Sequence, residues 1–186
     1  MKELKFIHVT KCGGTSIENL GKKHKLRWGR FHKEYGHHHR FVPEHLIDSY
    51  DWFVVVRNPY TRIISEYYCQ WGNRSKNPKN KEEFNKYVRR RIKNRCLIGY
   101  HWTEQHLYIK NIPDVHILKL ENLNSDLQEL FNKYNLNIDV SIDLKKTNVR
   151  KNVVNNYTKD DLDVQSIDLI KDVYKNDFIL FNYSTV

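Results

Sequence analysis

The sequence predicts an α/β fold with a short central parallel sheet flanked by helices, in one domain spanning residues 1–186. Two predicted strands support it, because each passes directly into signals that start a helix. Phe6–Val9 leads into Gly13 and Gly14, and Trp52–Val56 leads into Asn58-Pro59. Trp52–Val56 is a continuous apolar, β-branched run, which is typical of a strand buried on both faces of a parallel sheet. A chain of 186 residues is long enough to bury a sizeable single core.

The first strand leads into a loop suited to an anion. Lys11 and Cys12 precede a tight Gly13-Gly14 turn, and Thr15-Ser16 open the following helix. Backbone N–H groups, hydroxyls and the Lys11 ammonium then converge where a phosphate or sulfate binds. A Walker-type loop places its lysine after the last glycine, whereas Lys11 comes first. The loop is therefore predicted to bind an anion, without the pattern typical of Mg–ATP.

The second strand leads into another cluster of anion-binding residues. Asn58 is a good N-cap and Pro59 a good first helical residue, so a helix is predicted to start there. Arg57 then lies at the carboxyl end of the strand, the edge at which open α/β sheets bind ligands. Arg62 and Ser65 are three residues apart and share one helical face. These residues predict a second phosphate site.

The two motifs, in this order, resemble those of a known family. His8–Ser16 resembles the 5′-phosphosulfate loop of PAPS-dependent sulfotransferases, in the carbohydrate (Golgi-type, sulfotransferase family 2-like) branch, and Arg57–Tyr67 resembles their 3′-phosphate motif. Ile117–Leu123 and Tyr174–Tyr183 are similar to the family's later strand and terminal helix. The resemblance implies a three-layer, P-loop-like fold. It also implies transfer of a sulfuryl group from 3′-phosphoadenosine 5′-phosphosulfate (PAPS) to an acceptor hydroxyl.

The resemblance also implies roles for individual residues. Lys11 would contact the 5′-phosphosulfate and stabilise charge on the bridging oxygen as the S–O bond breaks. Arg57 and Ser65 would hold the 3′-phosphate, and Asn148 and Lys151 would belong to a loop that covers the nucleotide. The residues that would cradle the 5′-phosphate, with the cysteine as a spacer, are Cys12, Gly13, Gly14, Thr15 and Ser16.

A base must take the acceptor's proton, because a hydroxyl has a pKa far above neutral. In the resembled branch this is often a histidine between the two phosphate motifs, where this chain has His37, His38 and His39. Histidine has an ordinary pKa near ~6.5, so a neutral fraction exists at pH 7. His37 and His39 rank above His38, because they share one side of an extended segment. A solvated loop or an adventitious metal site is the alternative, and His8 is predicted to pack against the loop.

The positive charge is concentrated in one half of the chain. Residues 1–100 carry 22 Lys and Arg against 9 Asp and Glu, whereas residues 101–186 carry 10 against 13. This surplus indicates an acidic acceptor, such as a uronic-acid-containing or already sulfated polysaccharide. A basic face also suits nucleic acid, so a non-catalytic polyanion-binding module is one alternative and a P-loop kinase-like enzyme is another. The two ordered anion motifs favour the sulfotransferase, for which neither nucleic acid nor a metal ion is expected.

Three cysteines without a C-x-x-C pattern fit a reducing compartment. We expect a cytoplasmic or otherwise soluble protein, because the chain has no signal peptide and no apolar run near ~18 residues.

His101–Gln105 resembles an acceptor-side turn of some family members, with an ordinary helix N-terminus as the alternative. Ser125 and Thr158 are predicted to open the two later helices. The oligomeric state stays open.

Overall fold

The computed structural model describes residues 2–35, 41–69, 80–95, 100–145 and 157–185. Its chain divides into two compact units. Unit 1 comprises residues 1–57 and 107–149, and unit 2 comprises residues 58–106 and 150–186.

The regular elements are short and follow one another closely along the chain. The strands are β1 (Leu4–Ile7), β2 (Asp51–Val56) and β3 (His116–Lys119). The α-helices are α1 (Gly14–Lys23), α2 (Glu44–Ile47), α3 (Pro59–Tyr67), α4 (Lys81–Lys93), α5 (Leu123–Lys133), α6 (Val140–Asp143), α7 (Val164–Val173) and α8 (Lys175–Leu180). Single 3-10 turns occupy Gly29–Phe31, Tyr100–Trp102, Gln105–Tyr108, Leu120–Asn122 and Lys159–Asp161.

Unit 1 contains a parallel sheet in the order β1-β2-β3. Phe6 pairs with Phe53 in the first ladder, and Val54 pairs with Ile117 in the second. All residues of β1 and five of the six in β2 are buried, because side chains pack on both faces of the sheet. The predicted α/β class with a short parallel sheet and flanking helices is confirmed.

Aromatic side chains fill one side of the unit 1 core. The Trp28 ring contacts Phe53 edge-on, with centroids 5.1 Å apart, and stacks on Phe131 at 5.6 Å. Its Nε1 donates to the carbonyl of Leu4 over 2.8 Å, so the indole is both packed and hydrogen-bonded. Trp28 thereby ties the segment after α1 to β1 and to α5.

Unit 2 is built from α3, α4, α7 and α8 around a second apolar core. Phe84 of α4 stacks on Tyr157 with ring centroids 4.4 Å apart, and Tyr67 of α3 packs edge-on against Phe84 at 4.8 Å. The Tyr174 hydroxyl donates to the Trp102 carbonyl over 2.7 Å, so this buried phenol is also satisfied. Each α-helix of the unit therefore presents apolar residues to one shared core.

The helix-start signals were confirmed in part. The Asn58 side chain accepts from the N–H of Tyr60, so α3 starts where predicted. α5 begins at Leu123, two residues before the predicted Ser125. Thr158 does form a capping box with Asp161, but this box opens a 3-10 turn ahead of α7. Within the described ranges, no helix is both long and apolar enough to cross a membrane.

Candidate anion-binding site

The loop after β1 is shaped by two residues with left-handed backbone. Lys11 has φ 61° and Gly13 has φ 79°, a conformation that glycine adopts without steric cost. Gly13 occupies the N-cap of α1, and its carbonyl accepts from the N–H groups of Ser16 and Ile17. No described side chain caps this helix. The start of α1 thus lacks a side-chain cap, and anion binding by its first N–H groups stays a prediction.

The side chains of the loop divide between solvent and core. Lys11 and Thr15 are half-buried, whereas Ser16 is buried. Cys12 is 1% exposed, and its thiol donates to the carbonyl of Thr10 over 3.3 Å. Cys12 thus fills the core beneath the turn, and its place as a spacer in a phosphate loop stays a prediction.

Arg57 joins this loop from the end of β2. Its Nη1 lies 3.3 Å from the carbonyl oxygen of Lys11 and donates a hydrogen bond to it. Because β1 and β2 are parallel neighbours, the residues that follow them emerge at the same edge of the sheet. Two segments 46 residues apart in sequence therefore bring a lysine and an arginine to one place.

A buried network behind the loop was missed by the sequence analysis. His8 Nδ1 donates to Glu18 Oε1 over 2.8 Å. Arg30 donates its backbone N–H to Oε1 over 2.9 Å, and its guanidinium binds Oε2 through Nε at 2.7 Å and Nη2 at 2.6 Å. Glu18 is fully buried and His8 is 6% exposed. The network therefore links the end of β1 to α1 and to the following 3-10 turn.

The charges of this network favour an ionised carboxylate. Burial alone raises the pKa of Glu18, but the hydrogen bond and charge of His8, together with Arg30, outweigh it and hold this pKa below its ordinary 4.5.

Two glycines make room for the network. A Cβ on Gly14 would lie 2.4 Å from the His8 ring, and one on Gly29 would lie 2.3 Å from Glu18 Oε1. His8 therefore packs against the loop backbone, consistent with the prediction for this residue.

The predicted pairing of Arg62 with Ser65 as phosphate ligands is wrong for Arg62. Ser65 is half-buried on α3, but Arg62 is 1% exposed. Its guanidinium donates to the carbonyls of Thr103 at 2.9 Å and His101 at 3.2 Å. Residues three apart do share a helical face, but the spacing cannot show that the 101–103 segment covers that face.

The segment 101–106 is itself held by two carboxylates of unit 2. Asp177 is fully buried, and its two oxygens accept the backbone N–H groups of Gln105 and His106, each over 2.8 Å. His101 Nδ1 donates to Glu66 Oε2 over 2.9 Å. Hydrogen bonds with Cys69 and Glu66 raise the pKa of His101 to about 9.

The remaining predicted residues lie outside the described ranges. These are the candidate bases His37, His38 and His39, together with Asn148 and Lys151. Their roles stay predictions.

Comparison with known proteins identifies the family. A family model described as the sulfotransferase family matches residues 2–184, which is nearly the whole chain. Neither the curated proteins nor the solved structures include a match. The match covers both anion motifs and the later segments that resembled the family. The chain therefore belongs to the sulfotransferase family, whose members transfer sulfuryl groups.

Proposed function

We propose that this chain transfers a sulfuryl group from PAPS to a hydroxyl group of an acidic carbohydrate. One observation carries the proposal: the Arg57 guanidinium donates a hydrogen bond to the Lys11 carbonyl over 3.3 Å. This contact lies where the two parallel strands β1 and β2 end. A lysine residue and an arginine residue beside a helix start without a side-chain cap, at one edge of a sheet, suit a ligand with several phosphate or sulfate charges.

In the proposed reaction the acceptor oxygen forms a new bond to sulfur while the bond from sulfur to the bridging oxygen breaks. The leaving 3′-phosphoadenosine 5′-phosphate (PAP) takes the electron pair, and negative charge grows on its 5′-phosphate. Lys11 and the N–H groups at the start of α1 stabilise this charge. The acceptor's proton passes to a base, for which His37, His38 and His39 are the candidates.

The donor's 3′-phosphate distinguishes PAPS from ATP-type donors. We propose that Arg57 binds it, since guanidinium groups form directional hydrogen bonds with phosphate oxygens. The assignments of Ser65, Asn148 and Lys151 to the nucleotide rest on sequence resemblance alone. So does the P-loop-like character of the fold.

The charge distribution supports an acidic acceptor. Residues 1–100 contain both anion motifs and an excess of 13 positive charges, more than the donor's phosphates require. Such a surplus raises the local concentration of an anionic polymer and its association rate. We therefore propose an acceptor with carboxylate or sulfate groups of its own.

The proposal is tested by incubating the chain with radiolabelled PAPS and three acceptors: a uronic-acid-containing polysaccharide, a neutral polysaccharide and a tyrosine-containing peptide. Label is expected in the acidic polysaccharide. Lys11→Ala should lower the rate by about 10²–10³-fold, as loss of one donor to a developing oxyanion does. Lys22→Ala, which alters an exposed lysine of α1, is the matched control. Transfer to the peptide alone would contradict the carbohydrate acceptor, and no transfer to any acceptor would contradict this choice of substrates.

A further inference from the structure

Three potential metal ligands of unit 2 lie together at the end of α3. Glu66, Cys69 and His101 each offer a ligand atom, and these atoms all lie within 4.8 Å of one another. We propose that Glu66, Cys69 and His101 form a binding site for one divalent cation of the zinc type. This inference does not depend on the proposed function.

Local geometry brings the first two ligands together. The N–H of Cys69 donates to the carbonyl of Glu66 over 2.9 Å, so the chain continues the helical turn just beyond α3. Residues three apart on such a turn project from the same side. His101 reaches them because the Arg62 guanidinium binds the carbonyls of His101 and Thr103. Arg62 therefore positions the backbone of the third ligand.

One atom of the cluster lacks a partner. Glu66 is fully buried, and its Oε1 accepts no hydrogen bond from the described residues, whereas Oε2 accepts from His101. A buried carboxylate oxygen left without a partner is costly. A bound cation next to Oε1 would satisfy it. This unsatisfied oxygen is the observation that favours a cation over an ion pair alone.

The mixture of donor atoms selects the class of cation. Sulfur, imidazole nitrogen and carboxylate oxygen together suit Zn²⁺, while Mg²⁺ and Ca²⁺ prefer oxygen alone. Metal–ligand bonds of about 2.0–2.3 Å place tetrahedral ligand atoms about 3.3–3.7 Å apart. The observed cluster falls within reach of that spacing after small side-chain movements. Three protein ligands leave a fourth position for water, and the His101 side chain is 21% exposed, which offers a route from solvent.

The site is tested with Co²⁺, which reports its ligands by absorption. The intact chain should bind one Co²⁺ with a thiolate-to-metal charge-transfer band, and Zn²⁺ should displace it. Cys69→Ser should abolish the band. Cys12→Ser is the matched control, because Cys12 is also buried but belongs to unit 1, and it should retain the band. A variant with His37, His38 and His39 all changed to Asn should retain it too, since imidazoles alone give no thiolate band.

A second measurement needs no substitution, in case Cys69→Ser fails to fold. X-ray absorption of the zinc-loaded chain should show one sulfur neighbour at about 2.3 Å. A shell of nitrogen and oxygen only, or a cobalt band that persists in folded Cys69→Ser, would overturn the proposal. Failure to bind either metal would overturn it as well.

Discussion

The Arg57 guanidinium donates a hydrogen bond to the backbone carbonyl of Lys11, with the two atoms 3.3 Å apart. This contact ties the end of β2, where the second anion motif begins, to the loop that follows β1, within unit 1. Lys11 adopts a left-handed backbone, with φ 61°. The bond to its carbonyl therefore helps to hold a conformation that non-glycine residues rarely adopt.

Close packing of His8 on Gly14 predicts an energetic coupling between these residues. A methyl group at position 14 would lie 2.4 Å from the imidazole, so Gly14→Ala should lower the free energy of unfolding by about 1–3 kcal/mol. When His8 is already replaced by alanine, Gly14→Ala should lower the free energy of unfolding by less. The difference between the two backgrounds, which is the coupling energy, should be about 1 kcal/mol. Urea unfolding of the four proteins measures it. Gly21→Ala, whose methyl group meets Trp28, is the control and should add to His8→Ala independently. An equal cost of Gly14→Ala in both backgrounds would show that the ring does not constrain the loop.

Glu18→Gln should destabilise the chain because it removes the charge shared by His8 and Arg30. Each charge-assisted hydrogen bond is worth about 1.5–3 kcal/mol. Because Arg30 is partly exposed and solvent weakens its interaction, we expect the free energy of unfolding to fall by about 2–3 kcal/mol in all. Since the folded pKa of Glu18 lies below 4.5, its contribution is present above pH 4.5 and is lost as the pH falls through the folded pKa. Chemical unfolding at several pH values tests this. The exposed Glu129→Gln is the control, and equal pH dependence in both variants would contradict the prediction.

His32 should make unit 1 sensitive to mild acid. Burial, and secondarily the charge of Lys5, holds its pKa below the ordinary 6.5. Its Nδ1 accepts the N–H groups of Glu34 and Tyr35, and protonation there would break both bonds. The stabilising contribution of neutral His32 is therefore present above pH 6.5 and declines below it.

Denaturant unfolding between pH 7.5 and pH 5 checks this expectation, with the pH values chosen around the ordinary pKa of ~6.5. His32→Asn keeps a hydrogen-bond acceptor but does not titrate, so its stability should vary less over this range. The exposed His45→Asn should behave like the unmodified chain. If His32→Asn retains the full pH dependence, another group must be responsible.

Asp177→Asn should weaken unit 2. Both oxygens of this buried carboxylate accept backbone N–H groups, from Gln105 and His106. An asparagine offers only one acceptor oxygen, so at least one N–H is left unsatisfied at a cost of about 1–3 kcal/mol. Thermal unfolding measures the loss, with exposed Asp172→Asn as the control. Identical unfolding of the two variants would mean that Asp177 does not anchor the segment.

The parts of the fold that sequence predicted well depend on local chemistry. A Gly-Gly turn before α1 and an Asn-Pro pair before α3 act over a few residues, and a helix follows each as predicted. The strands predicted ahead of the two motifs are present as β1 and β2, which pair directly in the sheet. Family membership followed from the same short segments.

The parts that sequence reasoning missed depend on contacts between distant segments. Helical spacing placed Arg62 on a face of α3 but could not reveal that residues 101 and 103 cover that face. No local pattern marks Glu18, because its partner Arg30 is twelve residues away. The metal-ligand cluster likewise joins Glu66 to His101 across 35 residues. No local sequence pattern identifies such residues, because their partners lie far away along the chain.

The most direct test of the central claim is calorimetric titration of the chain with PAP, beside ADP and ATP–Mg²⁺. We predict binding of PAP in clear preference to both other nucleotides. Arg57→Ala should weaken PAP binding by about 10–100-fold, the equivalent of one charge-assisted bond of about 1.5–3 kcal/mol. Lys22→Ala should leave it unchanged. Equal or tighter binding of ATP–Mg²⁺ would contradict a PAPS-dependent enzyme and favour a kinase-like one, and no nucleotide binding at all would leave a basic polyanion-binding module.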